Sequence, residues 1–260
     1  MAGMMTSLLL LLLAGVTVGR VVDLQKRIVG GVQCDATDRL YHVKLIPNIG
    51  GVDDLCGGSL ISEDWILTAG HCVPKVGLGR VTAYLRVNRD GTTNPFVINN
   101  AEILRYEDNG VTHDIALLKL PKAAKGFEIV KLPDCKKRPV KGEKVQIAGH
   151  AATGRNDANT DVNGLSRTLQ CAETKVVDCV LGRCSSAMLY ADPGKVFCYQ
   201  RAGVDTRPGD SGGGVMYNGM IYGVHIRGFS VTCTGPSTAM DLCTNEYRVW
   251  IEGHTGLHFP

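Results

Sequence analysis

Near the C-terminal end of the chain, residues 209–214 read GDSGGG and enclose one serine, Ser211, in a run of glycines. Glycines leave the serine hydroxyl uncovered and let backbone amides come close to whatever that hydroxyl attacks. The stretch is therefore typical of an attacking serine. The same residue types also form ordinary surface turns, so residues elsewhere in the chain have to decide between the two interpretations.

The rest of the chain has the composition of a strand-rich protein with a full core. Its 260 residues are 44% hydrophobic and include 32 glycines. Segments such as 42–46 and 81–87 alternate apolar and polar residues, as half-buried strands do, and turn residues separate them. This pattern predicts an antiparallel barrel or sandwich. The formal net charge of +3 gives no reason to expect a nucleic acid as a partner.

The first residues of the chain are typical of a secretory signal. Residues 1–19 contain no acidic residue and include six consecutive leucines at 8–13, and the predicted cleavage point follows Gly19. The apolar run is too short for a membrane span, so we expect a secreted, extracellular protein without a membrane anchor. Ten cysteines fit that oxidising destination, where thiols at this density form disulfides.

A second cleavage point follows the signal. Residues 20–27 form a short propeptide that ends in a basic pair, and residues 28–31 read IVGG. Cleavage after Arg27 would free an α-ammonium group on the apolar residue Ile28, and a buried charge of that kind needs a carboxylate partner. Asp210, in the glycine run, is the candidate partner. The alternative is that the basic pair is only a solvated surface feature.

Four motifs, taken together, are far more specific than any one of them. They are residues 28–31 (IVGG), 67–72 (LTAGHC), 114–120 (DIALLKL) and 209–214 (GDSGGG). In order and spacing they resemble the trypsin and chymotrypsin family of serine proteases, over a domain from residue 28 to 260. The resemblance implies an all-β fold of two six-stranded antiparallel β-barrels, about 28–136 and 137–245. Helix-like spacing over 247–251 adds a C-terminal helix, expected to pack on the second barrel.

The resemblance also implies roles for individual residues. Ser211 would attack a peptide carbonyl, His71 would transfer the proton, and Asp114 would support the imidazolium, with an acyl-enzyme as intermediate. The backbone N–H groups of Gly209 and Ser211 would form the oxyanion hole. The chain would be a zymogen, because cleavage after Arg27 would create the ammonium group that pairs with the carboxylate of Asp210.

The local sequence agrees with the roles of the histidine and the aspartate. Asp114 heads an apolar strand, so its carboxylate would be partly buried and would need hydrogen-bond donors. The ring N–H of His71 is such a donor, and that bond would leave the other ring nitrogen free to accept a proton. Alternatively, Asp114 only ends the turn that begins at Asn109.

The resemblance implies four disulfide pairs and leaves two cysteines over. The pairs are Cys56 with Cys72, Cys34 with Cys171, Cys135 with Cys243, and Cys184 with Cys198. Most relatives have one more cysteine, four residues before the serine, which bonds to a cysteine at the position of Cys233. In this chain Arg207 takes the place of that extra cysteine. Cys179 and Cys233 therefore either bridge to each other or both stay free, and the even cysteine count of a secreted chain favours the bridge.

Four residues define the expected substrate pocket. Asp205 lines up with the aspartate with which relatives bind Arg or Lys, through a charge-assisted contact. Arg207 would neutralise that pocket if it folded onto Asp205. Arg227 stands where the family has a tryptophan in the substrate groove, and Ser237 stands where many relatives have glycine, so both would change the cleft. Alternatively, Asp205 is only a turn residue.

The sequence thus predicts a secreted serine endopeptidase that cuts after Arg or Lys and is activated by cleavage after Arg27. Two alternatives stay open: an active protease with a blocked or altered primary pocket, and a catalytically silent binding protein on the same scaffold. The resemblance implies protein or peptide substrates, protein protease inhibitors, an activating protease and a monomeric state. It requires no cofactor and no metal, and because residues 73–89 contain no Asp or Glu, we expect no calcium site.

Overall fold

Two barrel-like sheets and one C-terminal helix form the protein. The structure is a computed structural model that describes residues 28, 30–75, 79–88, 95–155, 161–166, 168–179, 193–228 and 235–260. The predicted signal and propeptide segments, 1–19 and 20–27, lie outside the described residues. In the described part of the chain, no helix is long and apolar enough to cross a membrane.

The first sheet combines strands that are buried along their whole length with strands on which buried residues alternate with more exposed ones. A short strand β1 (Val32–Gln33) precedes it and joins the second sheet. The strands of the first sheet are β2 (His42–Ile49), β3 (Val52–Asp53), β4 (Cys56–Leu60), β5 (Trp65–Thr68), β6 (Gly79–Tyr84), β7 (Phe96–Asn99), β8 (Ile103–Asp108) and β9 (Val111–Lys119). On β2, Val43 and Leu45 are fully buried. Burying such a side chain contributes about 1.5–3 kcal/mol, which fixes the inward face.

This sheet closes into a barrel of six strand paths. Its strands pair in the order β7-β6-β2-β4-β5-β9-β8, with β3 as a two-residue extension beside β2. β7 and β8 are consecutive and are separated only by a 3₁₀ turn, Asn100–Glu102. A capping box between Asn99 and Glu102 holds that turn. Because the broken strand pairs with β6 at one end and β9 at the other, it completes the ring.

The second sheet is a closed ring of six strands with β1 added outside. Its strands are β10 (Lys144–Gly149), β13 (Gln170–Val177), β14 (Val196–Gln200), β15 (Gly214–Tyr217), β16 (Met220–Arg227) and β17 (Ser237–Asp241), and a separate hairpin comprises β11 (Ala152–Arg155) and β12 (Asp161–Leu165). The ring runs β13-β10-β15-β16-β17-β14, and pairing of β14 with β13 closes it. Two antiparallel barrels and a C-terminal helix confirm the predicted fold class.

The C-terminal helix α1 (Asn245–Thr255) contacts the first barrel in addition to the second, where Nζ of Lys195, directly before β14, lies 3.3 Å from Glu246. Its buried face carries Tyr247 and Ile251, and it ends at Gly256 in the left-handed conformation that glycine adopts without strain. The ring of Tyr247 packs edge-on against Tyr106 of β8, and its hydroxyl lies 2.7 Å from Nδ1 of His113 on β9. Aromatic rings on both elements, which the local spacing could not pair, therefore decide where the helix docks.

Three of the implied disulfides are present, and one implied pair is wrong. Cys34–Cys171, Cys56–Cys72 and Cys135–Cys243 are bonded. Cys198 bonds to Cys179 instead of Cys184, so the alternatives in which Cys179 bridges to Cys233 or stays free are also wrong. The strand register is the reason: β13 pairs with β14 so that Val177 faces Cys198, which brings Cys179 within a Cα–Cα distance of 5.1 Å. Cys184 and Cys233 lie outside the described residues.

Candidate active site

His71 lies on a 3₁₀ turn, Gly70–Cys72, that follows β5. A disulfide ties this turn to Cys56 of β4. Gly70 lets the turn approach β9, because a Cβ at this position would lie 2.8 Å from the carbonyl oxygen of His113. The imidazole is therefore carried by backbone that is anchored on two sides, while the side chain itself stays 46% exposed.

Asp114 on β9 holds the imidazole of His71. Nδ1 of His71 lies 3.0 and 2.9 Å from the two carboxylate oxygens of Asp114, and the backbone N–H of His71 donates to Oδ1 at 2.8 Å. Burial lowers the pKa of His71, but the hydrogen bond and charge of Asp114 raise it more, so the pKa lies above its ordinary value of 6.5. Nδ1 is thus the donor to the carboxylate, and Nε2 is left as an acceptor.

Ser211 lies in the loop before β15, and the first barrel holds the backbone of this loop. The carbonyl oxygen of Ser211 accepts the N–H of Gly57 at 2.6 Å and lies 3.5 Å from Sγ of Cys72, the residue after His71. The serine is therefore brought to the turn that carries the imidazole. Within the described residues, no hydrogen bond joins its hydroxyl to His71; such contacts are often long without substrate and shorten when it binds.

The loop around Ser211 exposes backbone donors. In the described part of the chain, the amides of Gly209 and Ser211 donate no hydrogen bond, whereas the intervening amide of Asp210 bonds to the carbonyl of Arg207 at 3.0 Å. Gly209 has a φ of +105°, a conformation that non-glycine residues rarely adopt. Two backbone amides without a partner in the described part of the chain, with Asp210 between them, suit an oxygen that becomes negatively charged.

The two described residues of the predicted activation site lie in the second barrel. Ile28 is 1% exposed and packs with Val145 and Tyr199. Asp210 is 2% exposed, and its carboxylate accepts the backbone N–H groups of Ala151 at 3.1 Å and Arg207 at 2.9 Å. Arg27 lies outside the described residues. The predicted contact between the Ile28 ammonium and Asp210 stays a prediction.

The predicted pocket residues lie close together. Nη1 of Arg207 is 3.3 Å from Oδ2 of Asp205, so the arginine folds onto the aspartate as the sequence suggested. The Arg207 side chain is 3% exposed and that of Asp205 is 32% exposed, so the guanidinium is the more deeply placed charge. The hydroxyl of Ser237 lies 3.1 Å from that of Thr206. Arg227 is exposed at the end of β16.

One cluster of the described residues has the spacing of metal ligands. A ring nitrogen of His71 and the sulfurs of Cys56 and Cys72 lie within 4.8 Å of one another. The two sulfurs are bonded to each other, and a disulfide offers no thiolate to a metal ion. This cluster therefore braces the histidine turn.

A sequence model named trypsin matches residues 28–251 of the chain. The chain belongs to the trypsin family of serine proteases. It is accordingly a serine-type endopeptidase, a hydrolase, and the resemblance drawn from the four motifs is confirmed.

Several curated trypsin-family proteins are similar over almost the whole chain. Serine protease 1 of Canis lupus familiaris is 32% identical over 95% of this chain and 98% of its own length. Trypsin I-P1 of Gallus gallus is 31% identical over 95% of this chain and 98% of its own length. Kallikrein-8 of Homo sapiens is 29% identical over 95% of this chain and 94% of its own length.

Sequence reasoning missed two buried histidine contacts beside this trypsin-family site. His225 on β16 lies behind the serine loop: its carbonyl accepts the N–H of Gly212 at 2.7 Å, and its ring lies 2.5 Å from the hydroxyl of Tyr199. Burial lowers the pKa of His225 to about 3, so the ring is neutral. His42 and His150 form a second pair, with ring centroids 5.6 Å apart.

Proposed function

We propose that this chain is a secreted serine endopeptidase in which His71, Asp114 and Ser211 form the catalytic triad. The observation that carries the proposal is the contact between Nδ1 of His71 and both carboxylate oxygens of Asp114, at 3.0 and 2.9 Å. This contact makes Nδ1 the donor and leaves Nε2 as the base that a serine nucleophile needs. The raised pKa strengthens that base.

The reaction is peptide-bond hydrolysis in two steps. Oγ of Ser211 attacks the carbonyl carbon while Nε2 of His71 takes the hydroxyl proton, and the amides of Gly209 and Ser211 hold the oxyanion. The C–N bond then breaks, and the imidazolium gives its proton to the leaving amine. A water molecule attacks the acyl-serine in the same way and restores the enzyme. Asp114 stays ionised and stabilises the imidazolium throughout.

Export and activation follow from the N-terminal segments. Residues 1–19 would be removed as a signal, 20–27 would form the propeptide, and 28–260 would be the protease domain. Cleavage after Arg27 would create the α-ammonium of Ile28, which would pair with the buried carboxylate of Asp210. Before that cleavage the ammonium does not exist, so the zymogen would be nearly inactive.

Two primary specificities are candidates. Asp205, six residues before Ser211, supports cleavage after Arg or Lys, as its alignment with relatives implies. An altered primary pocket is favoured by one specific contact: the guanidinium of Arg207 lies 3.3 Å from the carboxylate of Asp205. That carboxylate already has a cationic partner inside the protein, so a basic substrate side chain would have to compete with it.

Protein substrates and inhibitors accompany membership of the trypsin family. We further propose that the enzyme also accepts peptides, acts as a monomer, and is activated by a separate protease. No cofactor takes part in the proposed steps.

The test of the triad is covalent labelling of the full chain after cleavage at Arg27. A fluorophosphonate should label the activated protein at Ser211 and should fail to label Ser211→Ala. Asp114→Asn should keep the fold by circular dichroism but lower kcat by about 10³- to 10⁴-fold, because the imidazole loses its correct tautomer. A silent binding protein on this scaffold would give no labelling, and that result would reject the proposed function.

A further inference from the structure

We propose that this chain fills its own primary pocket, so that the enzyme cleaves after small uncharged residues such as Ala, Gly or Ser and not after Arg or Lys. The inference rests on the proposed function and decides between its two specificities. Three groups of contacts carry it: two segments that flank the serine touch, a buried hydrogen bond ties one of them to β17, and the Asp205 carboxylate is paired with Arg207.

Two segments flank Ser211. One is the loop from Asp205 to Gly209 that leads into the serine. The other is the end of β16, where the carbonyl of His225 accepts the N–H of Gly212, the residue after the serine. A substrate side chain that precedes the scissile bond has to enter between these two segments if it is to reach Asp205.

The two walls are in contact where that side chain would enter. A Cβ built on Gly228, the residue after β16, would overlap the hydroxyl of Thr206 and lie 2.9 Å from its carbonyl oxygen. Thr206 is 2% exposed, so it fills the space against Gly228 and leaves almost none of it to solvent. A long side chain would have to push one backbone segment away from the other, which closely packed interiors resist.

A hydrogen bond closes the same space from a third element. The hydroxyl of Thr206 lies 3.1 Å from the hydroxyl of Ser237, at the start of β17, and Ser237 is 7% exposed. Both hydroxyls are buried, so separating them without a new partner would leave two unsatisfied polar groups. The pair therefore holds the start of β17 against the loop that carries Asp205, and two buried side chains occupy the space between them.

The carboxylate of Asp205 already has a cationic partner within the protein. The guanidinium of Arg207 is always protonated, is 3% exposed, and lies 3.3 Å from the carboxylate of Asp205. The backbone N–H of Arg207 also donates to Asp210 at 2.9 Å, which ties the arginine to the buried carboxylate beside the serine. A substrate Arg or Lys would gain one ion pair only by breaking this one, so it gains little over a small side chain that leaves the pair intact.

The experiment uses the full chain, cleaved after Arg27, and a set of peptide substrates that differ only in the residue before the scissile bond. We expect kcat/KM for Ala to exceed that for Arg and Lys by about tenfold or more, the usual range for a pocket that excludes bulk. A preference for Arg or Lys would overturn the inference and leave the proposed triad intact. A preference for Asp or Glu would also overturn it, because it would mean that the guanidinium is accessible.

Variants locate the cause. The double variant Thr206→Gly with Arg207→Ala should raise kcat/KM for Arg relative to Ala by about 100-fold, since it removes the side chain that contacts both Gly228 and Ser237 and also removes the internal cation beside Asp205. Ser237→Gly alone, the milder change, should shift the ratio in the same direction. Arg201→Ala is the matched control, because this arginine is exposed, lies in the same part of the chain and contacts the carbonyl of Glu173. An unchanged ratio in the folded double variant would overturn the inference.

A binding measurement separates the pocket from catalysis. Benzamidine, an aryl amidinium that mimics an arginine side chain, should bind the activated wild-type chain at least about 10-fold more weakly than the double variant. Tight binding to the wild-type protein would overturn the inference even if turnover were slow. Failure of fluorophosphonate labelling, in contrast, would reject the triad and the inference together.

Discussion

Gly212→Ala tests how the second barrel presents Ser211 to the first. Gly212 has a φ of +85°, and a Cβ there would overlap the carbonyl oxygen of Gly57 and the hydroxyl of Thr68. The matched control is Gly219→Ala, in the turn between β15 and β16. Gly219 has a φ of +75° but no atom within 4 Å of its Cβ position, so the control carries the backbone strain without the overlap.

The expected magnitudes follow from the contacts. Both substitutions cost about 1–2 kcal/mol for holding alanine in a left-handed conformation. Only Gly212→Ala also disrupts the bond from Gly57 N–H to Ser211 O, at 2.6 Å, and the bond from the Thr68 hydroxyl to Gly57 O, at 2.8 Å. At about 1 kcal/mol for each bond, the total cost is roughly 3–4 kcal/mol. The melting temperature should fall by about 6–16 °C, against about 2–8 °C for the control.

The assays are thermal unfolding and the rate of fluorophosphonate labelling after activation. We expect labelling of Gly212→Ala to slow by about 100-fold, because a misplacement of about 1 Å has an effect of that size. Labelling of Gly219→Ala should match the wild type, since this turn lies away from the site. If both variants melt and label alike, the loop does not depend on the contact with Gly57, and the reasoning is wrong.

Three further predictions concern pH and the core. Burial lowers the pKa of His71, but nearby carboxylates raise it by more, so the net shift is upward. The loss of kcat/KM at acid pH should therefore have its midpoint above pH 6.5, and Asp54→Asn should move that midpoint to lower pH. A midpoint that does not move in the pH–rate profile of this variant would contradict the prediction. Burial lowers the pKa of His150 to about 4 and that of His225 to about 3, so below pH 6.5 the unfolded chain binds protons that the folded chain does not. The free energy of unfolding should then fall by up to about 1.4 kcal/mol for each histidine as the pH drops by one unit. Urea titrations at pH 6.5 and 4.5 measure this loss, which should be smaller in His150→Gln than in the wild type. An equal loss in the two proteins would argue against a buried, neutral His150. Tyr247→Phe removes a buried hydroxyl 2.7 Å from a histidine ring and should lower the free energy of unfolding by about 1–3 kcal/mol, whereas a change within about 0.5 kcal/mol in urea would mean that the bond is not needed.

Local alternation predicted an antiparallel barrel or sandwich, and the resemblance carried by four short motifs implied the two barrels and the proposed roles of the site residues. Alternation on β2 and β6 is a property of each strand alone, because successive side chains point to opposite faces. Each motif around His71, Asp114 and Ser211 is a few consecutive residues that include both the reactive side chain and the residues that shape the backbone beside it. Such short motifs can be recognised from the sequence alone.

Pairings between distant segments could not be read in this way. Cys198 bonds to Cys179 because the β13–β14 register places them side by side, and nothing in the cysteine spacing distinguishes that partner from Cys184. Helix α1 contacts the first barrel because Tyr247 meets Tyr106 there.

The pocket shows the same division most clearly. The order of the residues, read through the family resemblance, predicts a serine nucleophile with its acid and base, and an aspartate where a basic substrate would bind. In three dimensions that aspartate faces Arg207, and Thr206 lies between Gly228 and Ser237. Whether a charge is available to a substrate depends on which side chains surround it, and those neighbours are set by how β16 and β17 pack beside the serine loop.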